Sequence, residues 1–305
     1  MKKNSIRLFV FLLPIFLIWG GVEFFYRTVP NNYTVKYASV NEQKNNVEVL
    51  LFGTSHCFYG LNPKYFSRPT FNFSNITQTL YFDTLLFEAY FDQMPNLKQV
   101  VFCIEYSNLS KKDNTDEDLF RKYYYENYMH LDVPIVSAFD PKKYSLAFTR
   151  SLEQTVEVMQ RYDYMGSIVD CRENGWGYNY PKVYRFKPEF NAKERAKSHE
   201  DRSLDFSVNQ ARLQSMINAC KERNIEVVIV SLPQSKTYIR YLNPVKIEKI
   251  FKTCKSFEDK NKNVRYLNLF MGESFVDDDF FDADHLNDVG AIKSSKIVDD
   301  FLNEK

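Results

Sequence analysis

Two short stretches of this chain carry the residue types of nucleophilic catalysis. The first is Gly53-Thr54-Ser55-His56, directly after the apolar run Val47 to Gly53. A serine at the exit of a buried strand sits where a helix begins, and backbone N–H groups there favour negative charge. That setting suits a hydroxyl nucleophile whose attack creates an oxyanion. The second stretch is Phe281-Asp282-Ala283-Asp284-His285-Leu286-Asn287, near the end of the chain. A serine hydroxyl needs a base to take its proton, usually a histidine held in one tautomer by a carboxylate. Asp282 and His285 lie three apart, so one loop supplies both.

Each stretch alone has a plainer reading. Ser55 could simply cap a helix. The acidic run Asp277, Asp278, Asp279, Asp282 and Asp284 could be solvated or bind a cation. Together they gain weight, because each follows a predicted strand and their order is Ser…Asp-x-x-His. Of the four histidines, His130 and His199 show no evident partner in sequence, and His56 is expected to point away from its neighbour Ser55.

The elements that must position these groups alternate. Val47–Gly53, Thr70–Phe73, Gln99–Glu105, Ile225–Ser231 and Val264–Leu269 read as short strands, several of them continuous apolar runs typical of a sheet buried on both faces. Residues 78–94, 209–223 and 289–302 read as helices. Alternation of this kind predicts an α/β fold with a parallel five-stranded sheet. In such sheets the ligand crevice lies beyond the carboxyl ends of the strands, where both stretches fall. Residues from about 110 to 207 break the pattern. They are polar and Tyr-rich, too long for a bare loop, and are expected to form an inserted helical cap. Their tyrosines suit stacking on sugar rings or packing of the cap. Pro233, followed by Gln234 and Lys236, is expected to shape the rim of the site.

The N-terminus starts basic, with Lys2, Lys3 and Arg7, and continues without charge from Leu8 to Val22. The apolar stretch just reaches the roughly 20 residues needed to cross a bilayer. It also approaches a signal peptide in form, but no small-residue cleavage site follows. Residues 1–27 are therefore expected to be an uncleaved membrane anchor, 28–46 a polar stalk, and 47–305 the body, held outside the cytoplasm.

Composition narrows the rest. The chain has 305 residues, 44% apolar and 26% charged, with a net charge of +1. That balance belongs to a folded protein and gives no basic excess for nucleic acid. Its nine glycines spell neither a dinucleotide fingerprint nor a phosphate loop. None of the five cysteines lies within three residues of another, so packing roles are expected, with no redox or zinc knuckle. No cofactor and no metal are expected.

With these residues in hand, the sequence resembles the GDSL/SGNH hydrolase superfamily. More narrowly it resembles the membrane-anchored branch of alginate O-acetylation and lipoteichoic-acid D-alanylation proteins. The resemblance rests on LFGTSHCFYGLNP, where Gly53-Thr54-Ser55 stands for Gly-Asp-Ser, and on DADHLNDVGA, where Asp282 and His285 match the Asp-x-x-His block. It implies a flavodoxin-like three-layer α/β/α fold with Ser55 as nucleophile, His285 as base and Asp282 as its orienter. Ser55 and Asn75 are the implied oxyanion donors. The family's glycine after strand two is missing, and Glu105-Tyr106-Ser107-Asn108 replaces its Gly-x-Asn-Asp, with Asn108 as a substitute. The implied chemistry is hydrolysis or transfer of O-linked acyl groups, acetyl foremost, on exported or envelope polysaccharide, with a membrane-bound acyl donor protein as a partner. The competing expectation is a catalytically silent polysaccharide-binding or assembly component on the same fold.

Overall fold

A computed structural model describes residues 2–113 and 119–304, and the side chains of residues 2, 3 and 188 are not described. Met1 of the basic start, residues 114–118 of the insertion and Lys305 lie outside these. The chain forms two compact units, one of residues 1–34 and 116–169, the other of residues 35–115 and 170–305.

The larger unit is built on five parallel strands: β1 (Val49–Phe52), β2 (Thr70–Asn72), β3 (Gln99–Cys103), β4 (Glu226–Ser231) and β5 (Val264–Asn268). Their order is β2-β1-β3-β4-β5, the doubly wound flavodoxin-like order. Register runs in step, with Leu51 beside Val101 and Val101 beside Val228. Side chains alternate across the sheet. On one face Val49, Leu51, Val101, Val228 and Val230 pack with Cys57 and Leu61, and with Val298 and Leu302 of α11 (Asp288–Asn303). On the other, Phe52 stacks on Phe73 and Phe102 and meets Phe87 of α4 (Leu80–Tyr90), which packs on α8 (Ser207–Glu222). The expected α/β architecture with helices on both faces is therefore present.

The smaller unit holds α1 (Lys2–Thr28), α5 (Arg121–Met129) and α6 (Leu152–Met165). Its core is tyrosine. Tyr33 meets Tyr124 and Tyr125 edge-on, and Tyr128 donates to the carbonyl of Tyr26 at 2.7 Å. So the Tyr-rich part of the insertion around residues 120–130 packs inward. Helix α1 is long and apolar enough to cross a membrane.

Two expectations change. Residues 28–46 do not form a bare stalk, since α2 (Asn32–Gln43) occupies them and buries Lys36 and Val40. The expected insertion also divides: residues 116–169 cluster with the N-terminus, whereas residues 170–207, including α7 (Ala192–His199), belong with the sheet. One further helix went unread in the sequence, α10 (Pro244–Lys260), whose Ile250, Cys254 and Phe257 face the core.

Lys36 explains why α2 folds onto the body. Its buried ammonium donates to the carbonyls of Asn72 (2.6 Å), Ser74 (2.8 Å) and Gly175 (2.6 Å). Burial pushes its pKa down to about 8. Asn72 in turn donates to the carbonyls of Cys57 and Leu61, so the exit of β2 is tied to the segment following Ser55. Lys36→Met strands three buried carbonyls, each worth about 1–3 kcal/mol when unbonded. Urea unfolding of the detergent-solubilised chain should show a loss of about 3 kcal/mol or more; an unchanged midpoint would refute the clamp.

Candidate active site

Strand β1 ends at Phe52, and the φ of +147° at Gly53 turns the chain sharply beside Cys57 and Cys103. Thr54, not Ser55, caps the helix that follows, its hydroxyl accepting from the N–H of His56 at 3.3 Å. Ser55 is thus the first residue of α3 (Ser55–Gly60), and its hydroxyl is spared from capping.

The tail of the chain brings the other groups. Asn287 caps α11 by accepting from Val289 and Gly290, and its amide donates to the carbonyls of Asp278 and Phe280. The hydroxyl of Ser235, just before α9 (Lys236–Ile239), donates to the carbonyl of Ala283 at 2.5 Å. Between these anchors Asp282 accepts from the backbone N–H of His285 at 2.8 Å, which closes the turn. Both Asp282 oxygens lie 3.1 Å from His285 Nδ1. Nδ1–H facing the carboxylate leaves the Nε2 lone pair free, and Nε2 lies 2.8 Å from Ser55 Oγ. The three residues singled out in the sequence stand in one hydrogen-bonded line.

The two candidate oxyanion asparagines share one arrangement. Asn75 Oδ1 accepts from the N–H of Ile76 (2.9 Å), and Asn108 Oδ1 accepts from that of Glu105 (2.7 Å). Each side chain is thereby fixed. Each Nδ2 is buried and has no hydrogen-bond partner among the described residues. Buried amide donors without partners are costly. Both follow strand ends, Asn75 after β2 and Asn108 after β3.

Much of the site was missed in the sequence. Asp284 is fully buried, and Arg195 of α7 spans its two oxygens at 3.0 and 3.4 Å. His285 Nδ1 lies 3.6 Å from Asp284, His56 Nε2 3.4 Å and His199 Nδ1 3.9 Å. His199 does have a partner, the hydroxyl of Tyr238 at 2.6 Å. His56 stays beside the site, its ring stacked on that of His285 at 4.7 Å and its Nδ1 against Glu105. Tyr180, from the insertion, stacks between Tyr59 (3.7 Å) and Phe281 (4.0 Å), and both tyrosines meet the His285 ring edge-on. That tyrosine packs against the body. Only the excess of acidic and basic groups around residues 195–200 and 282–285 hinted at this network.

His56, Asp284 and His285 place three ligand-type atoms within 4.8 Å of one another. Arg195 already supplies the positive charge beside Asp284, and His285 Nδ1 is engaged by Asp282, so the cluster reads as an ion-pair network.

Charge sets the titration of this cluster. Burial pushes His56 down, and pushes His199 down to about 3. Burial also pulls on His285, but the Asp284 and Asp282 carboxylates outweigh it and hold the imidazole above its ordinary 6.5. Asp284 resists the upward pull of burial because the His285 charge, and then the hydrogen bond to His56, hold it well below the usual carboxylate range. Asp284→Asn removes a negative charge and leaves Arg195 unneutralised, so the His285 pKa should fall. Ring-nitrogen NMR titration of the four histidines measures this; an unmoved or raised His285 would contradict it.

No family model matches the sequence, and no curated protein matches it. Two solved structures are similar in part. One is a protein from Streptococcus pneumonia provisionally called a platelet activating factor, at 11% identity over 88% of this chain and 91% of that one, with a TM-score of 0.43. The other is a protein from Bacteroides fragilis provisionally called an acylhydrolase, at 13% identity over 88% of this chain and 94% of that one, with a TM-score of 0.42.

Proposed function

We propose that this chain is a serine-dependent esterase or O-acyltransferase acting through an acyl-Ser55 intermediate. The observation that carries the reading is the line from Ser55 Oγ through the His285 ring to Asp282, with contacts of 2.8 and 3.1 Å. As the Ser55 oxygen attacks an ester carbonyl, its proton passes to His285 Nε2, and the tetrahedral oxyanion forms. Asp282 holds the tautomer and stabilises the imidazolium. The backbone N–H of Ser55, the Nδ2 of Asn75 and that of Asn108 are the donors we assign to the oxyanion. Collapse breaks the ester bond, and His285 returns its proton to the leaving alcohol. Water or an acceptor hydroxyl then attacks the acyl-serine, gives its proton to His285, and Ser55 recovers it. Hydrolysis and transfer differ only in that second nucleophile.

The polysaccharide substrate, the outward-facing location and the membrane-bound acyl donor are proposals resting on the family resemblance and on α1 as a single-pass anchor. The chemistry is tested with an activated aryl acetate. Wild-type protein should turn it over, and Ser55→Ala should abolish turnover. Asn75→Ala should lower kcat by about 10²–10³ with little change in KM. Asp282→Asn should lower kcat at every pH, because an amide does not hold the required tautomer. Absence of turnover in wild type and variants alike would favour the silent binding component.

A further inference from the structure

We propose that the 137–148 segment is a membrane-interface collar: it seats in the outer headgroup region of the bilayer that α1 crosses. The proposal rests on α1 being a membrane span.

Helix length supplies the first argument. The uncharged run Leu8–Val22 covers about 22 Å at 1.5 Å per residue, against roughly 30 Å of hydrocarbon. With the outer edge of the hydrocarbon at Glu23, where the uncharged run ends, the other edge falls near Lys3, and the Arg7 side chain reaches back to it. The stretch from Trp19 to Arg27 then straddles the outer boundary by about 6 Å on either side, together with whatever is bonded to it.

The 144–148 segment is bonded to it. Along one stripe of α1, Trp19 Nε1 donates to Ser145 Oγ (3.0 Å), and Glu23 accepts from Ser145 Oγ (2.8 Å) and the N–H of Ala147 (2.9 Å). One turn on, Arg27 donates to the carbonyl of Tyr144 (3.0 Å) and to Glu23 (2.6 Å). Glu23, the charge that interrupts the apolar run, is thus neutralised and hydrogen-bonded inside the protein, which removes most of its cost near lipid.

The same segment turns aromatic surface outward. Phe139 is 96% exposed, Tyr144 63% and Phe148 48%, and Phe148 stacks on Trp19 at 6.3 Å. Tyr144 also donates to the carbonyl of Ala138 (2.9 Å), which holds the Phe139 turn against the collar. Lys142 is exposed between them. Amphipathic aromatics with an interspersed lysine suit the headgroup layer. Exposed to water, such a patch would be a liability.

Nitroxide labels at single introduced cysteines test this in full-length protein reconstituted into phosphatidylcholine/phosphatidylglycerol vesicles; the five native cysteines are buried. The variants are Phe11→Cys on the span, Phe139→Cys and Phe148→Cys on the collar, and Lys252→Cys on α10 as the aqueous reference. Collision with oxygen reads lipid, and collision with a water-soluble nickel chelate reads water. The collar labels should lose most of the nickel collision seen at residue 252 and gain oxygen collision, at a shallower depth than residue 11. Nickel access at 139 and 148 equal to residue 252, with residue 11 still in lipid, overturns the collar alone. Shielding from nickel without a gain in oxygen collision points to a protein partner and also overturns it. Full nickel access at residue 11 overturns the span itself.

Discussion

The 2.8 Å contact between Ser55 Oγ and His285 Nε2 joins residues 230 positions apart, and most of the body exists to hold it. The short helix α3 carries the serine, and the loop leading into α11 carries the histidine. The N–H of Asn62 donates to Ser295 Oγ (2.8 Å), and Ser294 Oγ donates to the carbonyl of Gly60 (2.5 Å), which stitches α11 to the end of α3. Valine and leucine of α11 then bury against β1 and β3. Because both hydroxyls lie in a packed core, a shift of either helix would strand buried polar groups. Gly53 completes the constraint: a Cβ there would press on Cys57 and Cys103 at 3.0 Å, so the turn that presents Ser55 tolerates little else.

Around this contact the site carries more charge than a serine, a histidine and one carboxylate require. The fully buried Asp284 pairs with the half-buried Arg195 next to His285, and His56 and His199, whose pKa values burial pushes down, complete the enclosure. Removing Arg195 would leave the Asp284 carboxylate buried without its cation, so the pair's worth lies in fixing orientation more than in net stability. Here it ties α7, from the far side of the insertion, to the loop that bears the base. Asp282 and Asp284 thereby differ in role though two residues apart: one faces the imidazole with both oxygens, the other faces the guanidinium.

The sheet was legible because its strands are short apolar runs, and so were Ser55, Asp282 and His285, because strand-end position and Asp-x-x-His spacing are local properties. Asn75 and Asn108 were nameable, but the fixing of their amides through Oδ1 depends on backbone turns that sequence does not display. Arg195, His199 and His56 were not legible. Their role arises only when the chain brings α7 back onto the 282–285 loop, a contact of 89 residues' separation. The 28–46 stretch, expected to be a stalk, misled for a different reason. In a polar, Asn-rich stretch a lysine reads as solvated, and only three converging carbonyls reveal it as buried.

The central claim is that His285 activates Ser55 and no other hydroxyl. Incubation with a fluorophosphonate followed by peptide mass mapping tests it directly. A single adduct on Ser55, lost in His285→Ala, is the result this account predicts; an unmodified Ser55, or an adduct that persists without His285, would contradict it.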